Sequence, residues 1–225
     1  MLLDLLCSYS IFMKLKHFIA IGLVAAPVAA IAGSTINGAG ASFPAPIYQR
    51  WFQDYYTQSG NRVNYQSVGS GSGVRQFIAG TVNFGASDEP ISSKDASKVK
   101  RGVVQIPMVG GTIAIAYNKP GCNLKLTQKQ TVSVFSGTIK DWKQIGCSAG
   151  PIKVVHRSDG SGTTFAFTNS LDAFGGWKPG VGKSVKWPVG VGGKGNEGVA
   201  GSIRQTPGAI GYVNTGFVKT NKLKC

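Results

Sequence analysis

The chain has 225 residues, 42% of them hydrophobic and 15% charged, which is enough apolar material for one large or two small domains and excludes a disordered chain. Lys and Arg number 24 against 9 Asp and Glu, a net charge of +15 that favours anionic partners: nucleic acid, an anionic surface or a small anion. The basic residues form no long run, so the charge also fits a solubilising surface that steers anions weakly.

The first 32 residues have the character of targeting rather than of fold. From Met13, "MKLKHFIAIGLVAAPVAAIAG" carries Lys14 and Lys16, then an apolar stretch from Phe18 that ends in Ala30-Ile31-Ala32. That basic, apolar, A-x-A order is the order of a secretory signal and predicts cleavage after Ala32. The stretch is too short and too Ala-rich for a membrane span. Residues 1–12 lack a basic start and fit a misplaced start codon. Removal of Lys14, Lys16 and Asp4 takes the net charge from +15 to +14, and export argues against nucleic acid as the partner.

After the leader, helix-like and strand-like stretches alternate. The segment 45–60 spaces Ile47, Trp51, Phe52 and Tyr55 at helical intervals, and 73–80, 127–137, 163–174 and 196–205 are further predicted helices. Strands are predicted at 62–68, 82–87, 103–108, 111–118, 152–157, 184–189 and 208–213. The alternation predicts an α/β fold with a largely parallel sheet. The Gly-, Lys- and Trp-rich region 175–195 predicts an extended loop or hairpin, and no internal repeat is present.

Four cysteines are present. Cys7 leaves with the leader, Cys122 and Cys147 are predicted to pair in an oxidising compartment, and Cys225 has no evident partner. His156 is the one histidine after the leader and there is no C-x-x-C, so neither a metal nor another cofactor is expected.

Three Gly/Ser turns carry the chemistry. "GAGASFPAP" (38–46) places Ser42 and Phe43 before the first helix, and "GSGSGVRQF" (69–77) places Ser70 and Ser72 before the second. "RSDGSGTTFAF" (157–167) sets Arg157 and Asp159 ahead of Ser161, Gly162, Thr163 and Thr164 at the mouth of a third helix. Alone, that last stretch fits a capped helix with a local ion pair as well as it fits an anion site. Three such turns, each ending a strand or opening a helix, favour convergence on a small oxyanion, with Arg157 as a planar fork. Asp88, in "VNFGASDEP", caps a helix beginning near Ser92 or accepts the proton of a protonated oxyanion. In the second role it would select phosphate over sulfate, since a site built on one hydrogen bond rejects the analogue lacking it by ~10⁴ or more.

Other motifs fail on context. "GVGGKG" (190–195) has the dinucleotide glycines, but no Asp or Glu follows Glu197. "GVGKS" (180–184) lacks the first P-loop glycine, because Trp177 stands there. No G-x-S-x-G occurs, and a pairing of Ser70 or Ser161 with His156 as nucleophile and base has no support in spacing.

Taken in order, "GAGASFPAPIYQRW", "VNYQSVGSGSGVRQFIAGTVNFGASDEP", "RSDGSGTTFAFT", "KWPVGVGGKGN" and "PGAIGYV" resemble the periplasmic phosphate-binding proteins of bacterial ABC phosphate importers, from about Gly38 to Val213. The resemblance implies a two-lobed, Venus-flytrap fold that closes on phosphate in the periplasm and hands it, as a monomer, to a membrane permease. It implies phosphate ligands at Ser42, Phe43, Ser70, Asp88, Arg157, Ser161, Gly162 and Thr163, with Asp159 orienting Arg157; Ser42 stands where Thr is more frequent. It implies a first lobe at 33–115, a second at 116–214, and in 215–225 the start of an incomplete return to the first lobe. A secreted phosphatase-like relative, acting on phosphomonoesters, is the alternative.

Overall fold

The computed structural model describes residues 34–225; the leader and its cleavage point lie outside them. Two sheets organise this part of the chain. In the first, β1 (Thr35–Gly40), β2 (Arg62–Ser67) and β3 (Phe84–Ala86) run parallel in the order β2-β1-β3. Helix α1 (Ala45–Ser59) crosses from β1 to β2, and α2 (Ser70–Ala79) crosses from β2 to β3. The short α3 (Ser93–Ala96) follows, capped by the Ser92 hydroxyl, which accepts from the Asp95 amide at 3.1 Å.

The second sheet contains β4 (Ile113–Tyr117), β5 (Lys153–Arg157), β6 (Val191–Gly193) and β7 (Ala209–Asn214) in the order β4-β7-β5-β6. Only the β4-β7 pair is antiparallel. Helices α4 (Gln128–Phe135) and α5 (Gly162–Ala173) contribute to a core with Phe135, Trp142, Phe167, Leu171 and Tyr212. Helices α6 (Gly195–Gln205) and α7 (Thr215–Thr220) contribute to another, with Val155, Val199, Ile203, Val213 and Phe217. The result is an α/β architecture of two lobes, one built around each sheet. All six β7 residues are buried, as expected for a strand inside a covered sheet.

The first lobe is built more thinly. Its cluster is Ala41, Tyr48 and Ala86, supported by Phe52, Tyr65 and Val109. Tyr65 and Phe84 stack at 6.0 Å, and Tyr48 meets Tyr65 edge-on at 5.1 Å. Strand β1, not foreseen from the sequence, runs between them as "TINGAG". Its Gly38 lies opposite both Tyr65 and Phe84, and a Cβ there would overlap the Phe84 ring.

Several predicted elements shift. The segment 103–108 is not a strand; it has no ladder partner among the described residues, and Val104, Ile106 and Met108 are exposed. The segment 184–189 is also not a strand, because its Trp187 is used for packing on His156 and Tyr212 rather than for a ladder. The expected lobe boundary after residue 115 falls inside β4. Residues 215–225 stay with the second sheet: α7 packs on β4, β7 and α6, and Lys224 bridges to Tyr117.

Cys122 and Cys147 form a disulfide with Cα atoms 5.3 Å apart, closing a 25-residue separation around α4 and the 3-10 turn Trp142–Ile145. A loop of this length stabilises by about 3 kcal/mol. Replacing both cysteines by serine is therefore expected to lower the thermal midpoint by about 6–12 °C, measured by calorimetry at fixed pH, with an unchanged midpoint counting against the crosslink.

Candidate anion-binding site

Parallel strands place their carboxyl ends along one edge, and here the ends of both sheets face each other. From the first sheet come Ser42 after β1, Ser70 after β2 and Asp88 after β3. From the second come Arg157 at the end of β5, Gly195 after β6 and Asn214 at the end of β7. Hydrogen bonds cross between the two groups, so the three Gly/Ser turns singled out in the sequence do converge.

The α5 N-terminus meets the first lobe directly. Ser161 caps α5, its hydroxyl accepting from the Thr164 amide at 3.0 Å. The Gly162 amide donates to Ser70 Oγ at 3.1 Å, and the Gly71 amide donates to the Gly160 carbonyl at 2.8 Å. Ser70 Oγ donates to Asp88 Oδ1 at 3.1 Å, and Thr163 Oγ1 donates to Asp88 Oδ2 at 2.9 Å. Gly162 is required by proximity: a Cβ would lie 2.7 Å from Asp88 Cβ. Asp88 does not cap α3, since Ser92 does that. It stands instead as an acceptor held by hydroxyls from both lobes.

Arg157 is buried, its side chain 2% exposed, and is held from three directions. Its Nε donates to Asp159 Oδ1 at 2.7 Å and its Nη2 to Asp159 Oδ2. Its backbone amide donates to the Tyr212 hydroxyl at 3.1 Å, and that hydroxyl pairs with Thr164 Oγ1 at 2.6 Å. Burial pushes the Tyr212 phenol up to about 12, against the lowering effects of Thr164 and Arg157, so it stays protonated. Nη1 of Arg157 is buried and has no partner among the described residues.

Asp159 also receives the Gly195 amide at 3.0 Å, which ties the α6 N-terminus to the same carboxylate. Burial alone would raise the Asp159 carboxyl, but the hydrogen bond and charge of Arg157, with the Gly195 amide, outweigh it and hold the group below its ordinary value. The pair suggested by R-x-D spacing is thus present and desolvated.

Ser42 Oγ accepts from Asn196, a residue the sequence reading passed over. Phe43 follows at the same turn, half-buried, with its ring against Gly111, where a Cβ would lie 2.6 Å from the ring. Tyr212 was missed as well; its signal was its place in a strand, where it reads as core. His156 pairs through Nδ1 with the Arg157 carbonyl at 3.0 Å and stacks on Trp187, and none of its hydrogen bonds runs to Ser70 or Ser161. Outside the centre, the lobes are joined by Lys183 Nζ to Glu89 Oε2 at 3.2 Å and Ser67 Oγ to Glu197 Oε1 at 3.0 Å. Among the described residues, no group of three or more His, Cys, Asp or Glu is gathered to hold a metal.

Comparison with known proteins places this chain in a family. A PBP superfamily domain matches residues 25–224. The chain is 47% identical over 227 residues to the phosphate-binding protein PstS of Haemophilus influenzae, covering 94% of this chain and 66% of that protein. It is 44% identical over 204 residues to PstS of Xylella fastidiosa Temecula1, covering 84% and 55%. The chain therefore spans about half to two thirds of the length of these relatives. A phosphate ABC transporter substrate-binding protein from Clostridium perfringens, solved with bound phosphate, shares the fold at a TM-score of 0.73 and 21% identity, covering 85% of this chain and 74% of that one. The high-affinity periplasmic phosphate-binding protein PfluDING, solved bound with phosphate, aligns at a TM-score of 0.68 and 31% identity, covering 81% and 57%.

The Arg157–Asp159 pair generates a pH prediction. A lowered folded-state value means that Asp159 contributes stability above the unfolded-chain value of about 3.9, lost as pH falls through the folded value. Asp159→Asn leaves the guanidinium buried and unanswered, a change that costs about 3–5 kcal/mol at neutral pH. Chemical denaturation without added anion is expected to show that gap at pH 7 and to show it closing below about pH 4. A gap independent of pH would contradict the ion-pair account.

Proposed function

The chain belongs to the PBP superfamily, and we propose that within it this protein captures inorganic phosphate in the periplasm and delivers it to the permease of an ABC-type importer. The observation that carries this reading is Arg157 Nη1, a buried guanidinium donor without a partner among the described residues, at the point where the carboxyl ends of both sheets meet. Leaving such a donor unanswered is costly, and a planar fork answers oxyanions well. The amino ends of α2 and α5 lie at the same place, adding partial positive charge without a mobile counterion.

Asp88 supplies the selectivity. A carboxylate only accepts hydrogen bonds. Ser70 and Thr163 use part of its capacity, and the remainder suits an oxyanion that brings a proton, as phosphate does at neutral pH and sulfate does not. The Ser70 and Thr163 hydroxyls rotate about their Cβ–Oγ bonds and are available to re-aim at a ligand. Phosphate ligation by Ser42, Phe43, Ser70, Asp88, Arg157, Ser161, Gly162 and Thr163, with Asp159 behind Arg157, is part of the proposal. So are action as a monomer, the leader-directed export, and binding without chemistry on the ligand.

Titration with phosphate, arsenate and sulfate at fixed salt tests the reading. The parent protein is expected to bind phosphate and arsenate and to reject sulfate. Asp88→Asn is expected to let sulfate compete, because an amide can donate as well as accept. Arg157→Lys is expected to weaken phosphate about tenfold or more, because an ammonium lacks the paired planar donors. Equal parent affinities for sulfate and phosphate would reduce the ligand to a generic oxyanion. Turnover of a phosphomonoester abolished by Ser161→Ala would replace binding with catalysis.

A further inference from the structure

Ser42 Oγ lies in a fully buried position, 1% exposed, and accepts two hydrogen bonds from one residue. The Asn196 backbone amide donates at 3.0 Å and its Nδ2 donates at 2.9 Å. A serine hydroxyl has two acceptor lone pairs and one proton. With both lone pairs engaged, the proton is its remaining bonding capacity, and it has no protein acceptor among the described residues. The orientation of the Asn196 amide follows from its other end. Oδ1 lies 2.8 Å from the Asn214 backbone nitrogen, which can only donate, so oxygen faces Asn214 and nitrogen faces Ser42.

The two residues belong to different lobes. Ser42 follows β1 of the first sheet, while Asn196 sits in the first turn of α6 in the second. The adjacent Gly195 amide is bonded to Asp159, so Asn196 is one residue removed from the carboxylate that holds Arg157. Asn196 is itself fully buried, and its side chain makes no contact with solvent that would explain a polar residue there. An amide in such a position is retained at a desolvation cost unless every polar atom is used, and here both ends are.

We infer that Asn196 is a positioning residue: it holds the Ser42 hydroxyl across the cleft between the lobes and restricts it to donating toward the anion. This rests on the phosphate reading of the site. Ser42 then accepts no proton from the ligand and meets an ionised oxygen. The ligand's own hydroxyl is directed to Asp88, the carboxylate held by Ser70 and Thr163. The site has a donor end and an acceptor end, and Asn196 fixes the donor end.

A double-mutant cycle on the full chain tests this, with phosphate affinity measured by calorimetry. Ser42→Ala and Asn196→Ala are each expected to weaken phosphate by about 10-fold or more, the range for a lost hydrogen bond to a charged group. The double variant is expected to be no weaker than Ser42→Ala alone, because Asn196 acts through that hydroxyl. A double variant showing the product of the two losses would overturn the inference, since a scaffold role is blind to Ser42. Because alanine strands the Asn214 amide, Asn196→Asp provides a second reading. It keeps the shape and the acceptor for Asn214, but replaces the Nδ2 donor with an oxygen that takes the Ser42 proton. Asn196→Asp is expected to weaken phosphate strongly beside Ser42 and much less in the Ser42→Ala background. Equal losses in both backgrounds would be a charge effect and would overturn the inference. A parent protein that binds no phosphate defeats the phosphate reading and this inference together, whereas a parent that binds while the Asn196 variants match it defeats the inference alone.

Discussion

A guanidinium with 2% of its side chain exposed can stay in a fold only if its charge and its donors are answered nearby. Arg157 is answered by Asp159, and that single pair organises the elements around it. Asp159 reaches Gly195 and so fixes where α6 begins. Tyr212 accepts from the Arg157 backbone amide and pairs through the same hydroxyl with Thr164, which fixes the end of β5 against β7 and α5. Four elements of the second lobe are thereby registered on one residue. Among the described residues, Nη1 is the nitrogen of this guanidinium that has no partner.

On the proposed reading, the local charge count identifies what would attract an anion. Arg157 contributes one positive charge, while Asp88 and Asp159 contribute two negative ones. The site is therefore not a patch of the chain's +15 net charge, which acts at long range and is screened by salt. Close to the proposed ligand the favourable terms would be oriented donors: Arg157, the amino end of α5 capped by Ser161, and the amino end of α2. Such donors distinguish where an oxygen sits and whether it carries a proton, which net charge cannot do. A carboxylate in an anion site, a contradiction in terms of charge, is consistent once hydrogen-bond polarity is counted atom by atom.

The sequence exposed this site better than it exposed the frame. Arg157, Asp159, Ser70 and Thr163 were singled out because three Gly/Ser turns, each ending a strand or opening a helix, suggested convergence, whereas local pattern left Asp88 open between a helix cap and an acceptor. Asn196 was not legible, because its partner, Ser42, lies 154 positions away and neither end of the bond is visible in local pattern. Tyr212 was hidden for the opposite reason: it sits in "GAIGYV" like any core residue, and only its hydroxyl contacts reveal a second role. In the frame, β1 escaped notice because "TINGAG" has no apolar alternation, its small residues making room for neighbouring aromatic rings. The segments 103–108 and 184–189 misled because β-prone residues describe a capacity to pair or pack, not the presence of a partner strand. One remains exposed and the other spends Trp187 on a stack with His156 and Tyr212.

The glycines of "GVGGKG" show the same limit from the other side. Gly193 ends β6, and a Cβ on it would lie 2.7 Å from the Val199 amide in α6. Gly195 opens α6 at a φ of 68° and gives its amide to Asp159. Close packing of a helix on a strand and an amide free to meet a negative group are the physical demands that a dinucleotide motif also satisfies. Here the negative group is a carboxylate of the protein itself, the same one that pairs with Arg157. The motif thus reports a backbone geometry; which anion the geometry meets is decided by Asp159 occupying the helix end, a residue 36 positions earlier in the chain.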